Sequence, residues 1–553
     1  MISDLEIAEL IFPEVKENIE DLEKRFPKRN LAESSEVTRF APSPTGFLHT
    51  GSLFTSLICY KVAKDSNGIF YVRLEDTDTK REIKGSGLEL LNQLKLFNVV
   101  PSEGYMGDHE VGNYGPYIQS KRADIYKIVI KHLLSTGRAY PCFCSQAELD
   151  DIRSKQEKAK IIPGYYGPFA KCRYLTNEER KQRILNGEKF VIRFKSNGNH
   201  IRKIKVHDLV HGDFEIAQND MDIVIYKSDG LPTYHFAHVV DDHFMRTTTV
   251  IRGEEWIASL PIHIELFETL GWKAPNYAHL PVIMKLDESG HKRKLSKRLD
   301  SEAAVSYFLQ DGYPSEALIM YLMTIANSNF EEWIFEHKFE HMEDFIFSFD
   351  KMSLEGALFD MGKLNFFSKE ILSKKTKEEM LEMTLEYAKN YDEKLYALVS
   401  KDPEYFKKII NIEREKDNPR KDYEKLGNLY DAINFFYPDL YDASISSLVY
   451  NEKFNNEEIK SVLLTLKGKL DTSLEEAEWF NSMKAIGEGL GYAPDRKAFK
   501  ANPEAFKGSV SDVAEMLRIT LTTKKNSPNL YYVMKVLGDE EWKRRIDLVT
   551  SKL

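Results

Sequence analysis

The chain has 553 residues, of which 42% are hydrophobic and 30% charged, and it carries a formal charge of -10. That is ample for a large buried core and, by length, for three or four domains, and the wealth of aromatic residues excludes a disordered chain. No apolar run approaches the ~20 residues that a membrane helix needs, and the opening MISDLEIAELIFPEVKENIEDLEKRF is acidic where a secretory signal is basic, so the expected location is the cytoplasm. Four cysteines, Cys59, Cys142, Cys144 and Cys172, are too few for a disulfide scaffold.

Residues 1–36 read as an extension in which Ile7, Leu10, Ile11 and Val15 share a face, which predicts one or two amphipathic helical turns. From Val37 to about Asp300, short β-rich runs (VTRFAP, IFYVRLE, KFVIRFK, DIVIYK, TTTVIRGEEW) alternate with helical stretches, the pattern of a parallel α/β sheet. Inside it, residues 120–219 are rich in charge, hold three of the four cysteines and read as an insertion. After Asp300 the pattern is helical, beginning with AAVSYFLQDGYPSEALIMYLMTIA and continuing to the end of the chain.

Two segments carry chemistry. In RFAPSPTGFLHTGS, Arg39 to Ser52, a strand runs into Pro42 and Pro44, which stop it. Gly46 permits a turn and a helix begins near Thr50. His49, Gly51 and Ser52 therefore sit at a helix N-terminus, where free N–H groups and the positive dipole end suit phosphate, and Gly51 lets a nucleotide approach the backbone. A lone H-x-G is far more often an ordinary βα turn; the full segment is much more specific. The second element is Lys294-Leu-Ser-Lys-Arg298, following a glycine at 290. Alone it reads most simply as a solvated basic loop. Beside the first, its two lysines suit the grip on a leaving pyrophosphate.

Together the HTGS and KLSKR segments resemble the two motifs that define class I aminoacyl-tRNA synthetases. PSPTGFLHTG, RLEDTD (Arg73 to Asp78), KSDGLPTYHFAHVVDDH (Lys227 to His243), VIRGEEW (Val250 to Trp256) and FDMGKLNFF (Phe359 to Phe367) narrow the resemblance to the bacterial-type glutamyl-tRNA synthetases, over nearly the whole chain. The resemblance implies a Rossmann catalytic domain in two halves, 37–119 and 220–300, split by an acceptor-arm domain at 120–219. A stem-contact region at 301–370 and an all-α anticodon-binding domain at 371–553 would follow. It implies ATP-dependent attachment of L-glutamate to tRNA(Glu) through a glutamyl-adenylate, with Mg²⁺ on the phosphates, by a monomer. Whether tRNA(Gln) is also a substrate stays open.

Matched motif by motif, Arg39, Ala41, Ser43, Glu75, Tyr234, His238, Arg252 and Trp256 would line the glutamate pocket. His49, Gly51, Ser52, Lys294, Leu295 and Lys297 would serve ATP. Position 238 departs from the family pattern, in which asparagine is frequent. The physics agrees with these roles: a substrate with two carboxylates and one ammonium needs fixed cations and one anion, and Arg39, Arg252 and Glu75 supply them. A structural ion pair between Arg252 and Glu75 is the plainer alternative. His235, Asp241, Asp242 and His243 read as support for the pocket. Cys142, Cys144 and Cys172 resemble the zinc-binding knot of some family members; Tyr174 stands where the last ligand is often histidine, and Tyr166 is the candidate to replace it with a phenolate, against three unliganded thiols. Arg518 and Thr522, in SVSDVAEMLRITLTTKKNSPNL, are the candidate anticodon contacts. A non-catalytic tRNA-binding relative would lack His49, the loop lysines or Arg252, and a glutaminyl-tRNA synthetase would have no use for Arg252.

Overall fold

The computed structural model describes residues 2–44, 46–78, 83–296 and 298–553, which form two compact units. The first comprises residues up to 308 together with 319–360, and the second residues 309–318 together with 361–553.

Nucleotide-fold topology organises the first unit. Strands β1 (Val37–Phe40), β2 (Ile69–Val72) and β3 (Glu103–Tyr105) run parallel, and β4 (Glu110–Val111) closes the edge antiparallel. All four residues of β1 are buried, as expected of a parallel strand covered on both faces. Next come β5 (Ala139–Cys142), β6 (Val191–Phe194), β7 (Lys203–Asp208), β8 (Gly212–Ala217), β9 (Val224–Tyr226), β10 (Thr249–Gly253) and β11 (Asn276–Leu280). A second sheet runs β10-β11-β7-β8, with β10 and β11 parallel. Thr248 N donates to Val37 O at 3.0 Å, so β10 abuts β1 and the two sheets meet there. A ligand site in such a sheet is expected at the carboxyl ends of the two strands flanking the switch.

Strand pairing cuts across the borders expected for the insertion. β5, β6 and β9 form its own three-stranded sheet, and β9 lies beyond residue 219. The β7–β8 hairpin, inside 120–219, instead joins β11 through Tyr277 and Asp208. Alternating polar and apolar residues make a hairpin readable in sequence, but not its partner sheet.

The extension folds as two short helices, Asp4–Ile11 and Ile19–Arg25, each opened by a capping box (Ser3 with Glu6, Asn18 with Asp21). The first buries Ile7 and Ala8 against the insertion helix Ala123–Ser135. On the second, Glu23 pairs with His243 at 2.7 Å and Arg246 at 2.5 Å. Arg29 grips Glu103 with two hydrogen bonds, 2.8 and 2.6 Å, and caps the Met245 carbonyl at 2.9 Å. The extension is thus a strap tying both catalytic halves and the insertion.

The second unit is helical, from Met361–Lys374 to Asp539–Thr550. Trp479 and Trp542 are fully buried in its core, and Arg545 is buried with its guanidinium 3.9 Å above the Tyr441 ring.

Replacing Arg29 with alanine leaves the Glu103 carboxylate buried without its cation, a loss of about 3–5 kcal/mol. Urea unfolding should show it as a lowered midpoint, partly recovered by adding Glu103→Gln. An unchanged midpoint would mean the strap is not held by this pair.

Candidate active site at the sheet junction

A cleft of about 1130 Å³ opens at the carboxyl ends of β1 and β10. Arg39, Ala41, Ser43, His49, Gly51, Ser52, Glu75, Tyr234, Arg252, Trp256, Lys294 and Leu295 all line it. Residues more than 250 positions apart in the chain therefore share one cavity. Lys297 lies outside the described residues.

His49 caps the helix Thr50–Asp65 from an extended backbone conformation (φ -87°, ψ 147°). Its Nδ1 accepts the Gly51 N–H at 3.0 Å, which leaves Nε2 to carry the proton of the neutral ring. The segment after the KLSKR motif docks back on this turn: Val305 N donates to Leu48 O at 3.1 Å and Thr50 Oγ1 donates to Glu302 O at 2.6 Å. Lys294 belongs to a hairpin, β12 (Met284–Leu286) with β13 (Lys292–Lys294), where the sequence reads as a loop. Arg293 braces it through two bonds to Asp300, 2.6 and 2.7 Å, and Asp300 also accepts from Ser296 N at 2.9 Å. Hydrogen bonds from Arg293 hold the Asp300 carboxyl well below its usual range.

Beneath the cleft, charge is closely compensated. Asp242, fully buried, lies 3.3 Å from Arg39 Nε and 2.7 Å from Arg73 Nη1. Burial alone would raise its pKa, but Arg39 and Arg73 outweigh it and hold the carboxyl well below the usual range. Glu75 accepts from Arg73 Nη2 at 2.9 Å, and burial raises its carboxyl in spite of that partner. The adjacent Asp241 accepts from Arg122 Nε at 2.6 Å, Tyr126 Oη at 2.8 Å and Gln119 Nε2 at 2.9 Å. Asp241, Asp242 and His243, which engages Glu23, are all taken up by protein groups that brace the cleft.

Arg252 differs from Arg39, Arg73 and Arg122. It is 5% exposed, and its nitrogens meet His279 Nε2 at 3.0 Å, His263 Nδ1 at 3.3 Å and Tyr234 Oη at 3.4 Å. Among the described residues no carboxylate lies within ion-pair distance of it, and Glu75 is paired with Arg73. The alternative of an Arg252–Glu75 ion pair is therefore not what the structure contains. Tyr234 packs at a tilt against Trp256, ring centres 4.4 Å apart, forming an aromatic wall.

His238, expected beside the amino acid, sits behind that wall instead. It is fully buried, stacked on Tyr234 with ring centres 5.9 Å apart, and does not line the cleft. Its Nε2 lies 3.2 Å from Tyr277 Oη, and its Nδ1 lies 2.6 Å from Asp242 but out of line for a well-formed hydrogen bond. A helix period separates positions 234 and 238; the tyrosine fills the front and leaves the histidine the second layer.

Tyr166 is corrected as well. Its hydroxyl donates to the Ile162 carbonyl at 2.6 Å, away from the thiols. The neighbouring Tyr165 faces them, its hydroxyl 3.2 Å from Cys144 Sγ and 3.5 Å from Cys142 Sγ while accepting from Cys172 N at 3.0 Å. The three sulfurs lie within 4.8 Å of one another. In the helical unit, Thr522 is fully buried and its hydroxyl donates to Arg518 O at 2.8 Å, closing the helix Val510–Thr522. Arg518 is half-buried and donates to Ser527 Oγ at 3.2 Å. Sequence reading missed Asp208, His263 and His279, which carry no motif, and Lys227, which lines the cleft and donates to Thr77 O at 2.8 Å.

A family model described as tRNA synthetases class I (E and Q), catalytic domain, matches residues 36–366. The chain belongs to this family. An anticodon binding domain model matches residues 379–550, so a class I catalytic domain is followed by a helical anticodon-binding domain. This synthetase is 46% identical to a glutamate–tRNA ligase of Clostridium perfringens over 98% of its length and 99% of the relative's. It is 43% identical to one of Acetivibrio thermocellus over 98% of both chains. Among solved structures it resembles a glutamate tRNA ligase from Elizabethkingia meningosepticum, crystallised in complex with its amino acid. That likeness has a TM-score of 0.72 and 29% identity over 94% of this chain and all of the other. Among the described residues no helix is long and apolar enough to cross a membrane.

The buried imidazole of His238 gives this synthetase an acid sensitivity. Burial, helped by Arg252 and Arg39 and opposed by Asp242, pushes its pKa down to about 3. As pH falls below about 6.5 the unfolded chain takes up a proton that the folded site refuses until about pH 3. The stabilisation is whole above 6.5 and declines through that window. His238→Asn should flatten the stability-versus-pH slope between pH 6 and 4 by up to one proton's worth, about 1.4 kcal/mol per pH unit. An unaltered slope would place the titration elsewhere.

Proposed function

We propose that the chain attaches L-glutamate to tRNA(Glu) in two ATP-dependent steps. The observation that carries this is Arg252: a guanidinium at the cleft wall, held by neutral groups, with no carboxylate partner among the described residues. Burying an uncompensated cation is costly, and a site that does so is built for an anion. The side-chain carboxylate of glutamate fills that place, Glu75 receives the substrate ammonium, and Arg39 with Ser43 and Ala41 borders the backbone end. The α-carboxylate then attacks the α-phosphorus of Mg–ATP. His49 Nε2–H, Gly51, Ser52 and the backbone at Leu295 hold the phosphates, while Lys294 and Lys297 meet charge on the departing pyrophosphate. The 2′-OH of the terminal adenosine of the tRNA then attacks the acyl carbon of the adenylate, the mixed-anhydride C–O bond breaks and AMP leaves. No enzyme nucleophile is required; positioning and charge stabilisation supply the catalysis.

The proposed domain borders remain 1–36, 37–119, 120–219, 220–300, 301–370 and 371–553, with the β7–β8 and β9 exchange noted above, and the chain acts as a cytoplasmic monomer. Arg518 is the better of the two anticodon candidates, because the Thr522 hydroxyl is spent within its helix. Charging of purified tRNA(Glu) and tRNA(Gln) with labelled glutamate tests the activity and decides its breadth.

Zinc fits the donor set of the insertion. Cys142, Cys144 and Cys172 would hold it, with the Tyr165 hydroxyl as fourth group; bound there it would tie the knot between β5 and the Lys171–Tyr174 turn. Hydrogen bonds from Cys144 and Cys172 push the Cys142 thiol down, while the same cluster pushes the Cys144 thiol and the Tyr165 hydroxyl up, so without metal the charge settles on Cys142.

Two outcomes follow. Arg252→Ala should cut kcat/KM for glutamate by on the order of a hundredfold or more and narrow the preference over glutamine, and Arg252→Lys should rescue it poorly, lacking the planar fork. An unchanged glutamate-to-glutamine ratio would refute the assignment. Metal analysis of the purified protein should find about one zinc, lost in Cys172→Ser and weakened in Tyr165→Phe but not in Tyr166→Phe. Metal-free protein with full activity would favour three unliganded thiols.

A further inference from the structure

Arg252 is held by an unusual set of partners. Its Nε–H donates to His279 Nε2 at 3.0 Å. Both terminal nitrogens lie 3.3 Å from His263 Nδ1. Each ring therefore presents a lone pair to the guanidinium, and each must be neutral to do so.

The surroundings dictate those tautomers. Asp208, fully buried, lies 2.6 Å from His279 Nδ1 and accepts from the backbone N–H groups of Val210 and His211 at 2.9 and 3.0 Å. Asp208 is thus a fixed anion that draws the His279 proton onto Nδ1 and leaves Nε2 bare for Arg252. On the other side, His263 Nε2 lies 3.0 Å from His235 Nδ1, so the His263 proton is occupied away from the arginine. Burial pushes His263 well down and His279 down as well. Elsewhere around the cleft floor the arginines are met by carboxylates: Arg39 by Asp242, and Arg73 by Asp242 and Glu75. Arg252 alone of these three is oriented by acceptors that carry no charge.

We infer that His263 and His279, the latter set by Asp208, are positioning residues that fix the specificity of the cleft: they aim the Arg252 guanidinium while leaving its charge unspent, so that the site demands an anionic side chain. This rests on the reading that Arg252 meets the substrate's side-chain carboxylate. A carboxylate in place of either imidazole would aim the guanidinium equally well but neutralise it, and the cleft would then accept the neutral amide nearly as readily. Charge at a partner that never touches the substrate would thus decide between glutamate and glutamine.

The isosteric pair His263→Asn and His263→Asp separates orientation from charge. In tRNA charging assays with each amino acid, His263→Asn, which keeps a neutral acceptor near the Nδ1 position, should hold the glutamate-to-glutamine ratio of kcat/KM within about threefold, and His263→Asp should lower it by about a hundredfold. His263→Leu, which removes the acceptor, should raise KM for glutamate about tenfold while KM for ATP stays level. Should the leucine variant fail to fold, the Asn–Asp pair still decides. The inference is overturned if His263→Asp keeps the wild-type ratio. Arg252→Ala distinguishes the two failures: if it too keeps the ratio, the reading of Arg252 itself falls, and if it collapses the ratio while His263→Asp does not, only the role of the imidazoles falls.

Discussion

One carboxylate joins the catalytic halves. Asp242, on the helix Tyr234–Phe244, takes Arg39 from β1 and Arg73 from the end of β2, with Tyr71 Oη 3.3 Å away. The residues come from sequence segments about 170 and 200 positions apart from it. A buried ion with two cations tolerates little displacement, because removing either side strands an uncompensated charge. The junction of β1 and β10 and the floor of the cleft are thus fixed by the same group. Asp241 beside it repeats the arrangement with Arg122, extending the lock to the helix that begins at Ala123.

Above this floor the cleft separates two uses of arginine. Arg39 braces the floor and borders the cleft at once, Arg73 lies wholly beneath it, and both already share their charge with protein acids. Arg252 shares its charge with no carboxylate among the described residues. The distinction is invisible in a list of basic residues; it depends on which neighbours are ionised, and in this site burial keeps the imidazoles around Arg252 neutral. Orientation by neutral acceptors costs the site little binding strength, because the full Coulomb attraction remains for an incoming carboxylate in a low-dielectric wall.

Much of this was readable before any coordinates. The proline-stopped strand before His49, the helix N-terminus behind it and the basic KLSKR segment each follow from local rules of φ restriction, capping and charge, and His49, Gly51, Lys294 and Leu295 from them line one cavity. The parallel sheet was legible from runs of β-branched residues alternating with helices. What failed to show were facts of the third dimension: that His238 lies behind Tyr234, that Tyr165 and not Tyr166 turns to the sulfurs, and that β7–β8 leaves the insertion for the β11 edge. Adjacent tyrosines have equal propensity to face the thiols; the turn at Gly164 and Gly167 decides, and no local pattern encodes it. His263 and His279 looked like ordinary core positions because their meaning lies in a partner contributed by β10.

The strap at the start of the chain has a consequence for synthesis. Arg29 and Phe26 find their partners at Met245 and Arg246, about 220 residues later. At the usual ~5–20 residues per second, this segment waits roughly ten to forty seconds for the surface it must cover. During that interval Phe12 and Phe26, buried in the finished protein beside Tyr226 and Phe244, have nothing of the second catalytic half to rest on. The acidic residues around them, Glu6, Glu9, Glu14, Glu17, Glu20 and Asp21, keep the waiting segment solvated. Glu6 and Asp21 also cap its two helices, and the contacts of Phe26 and Arg29 close only once Met245 and Arg246 have emerged.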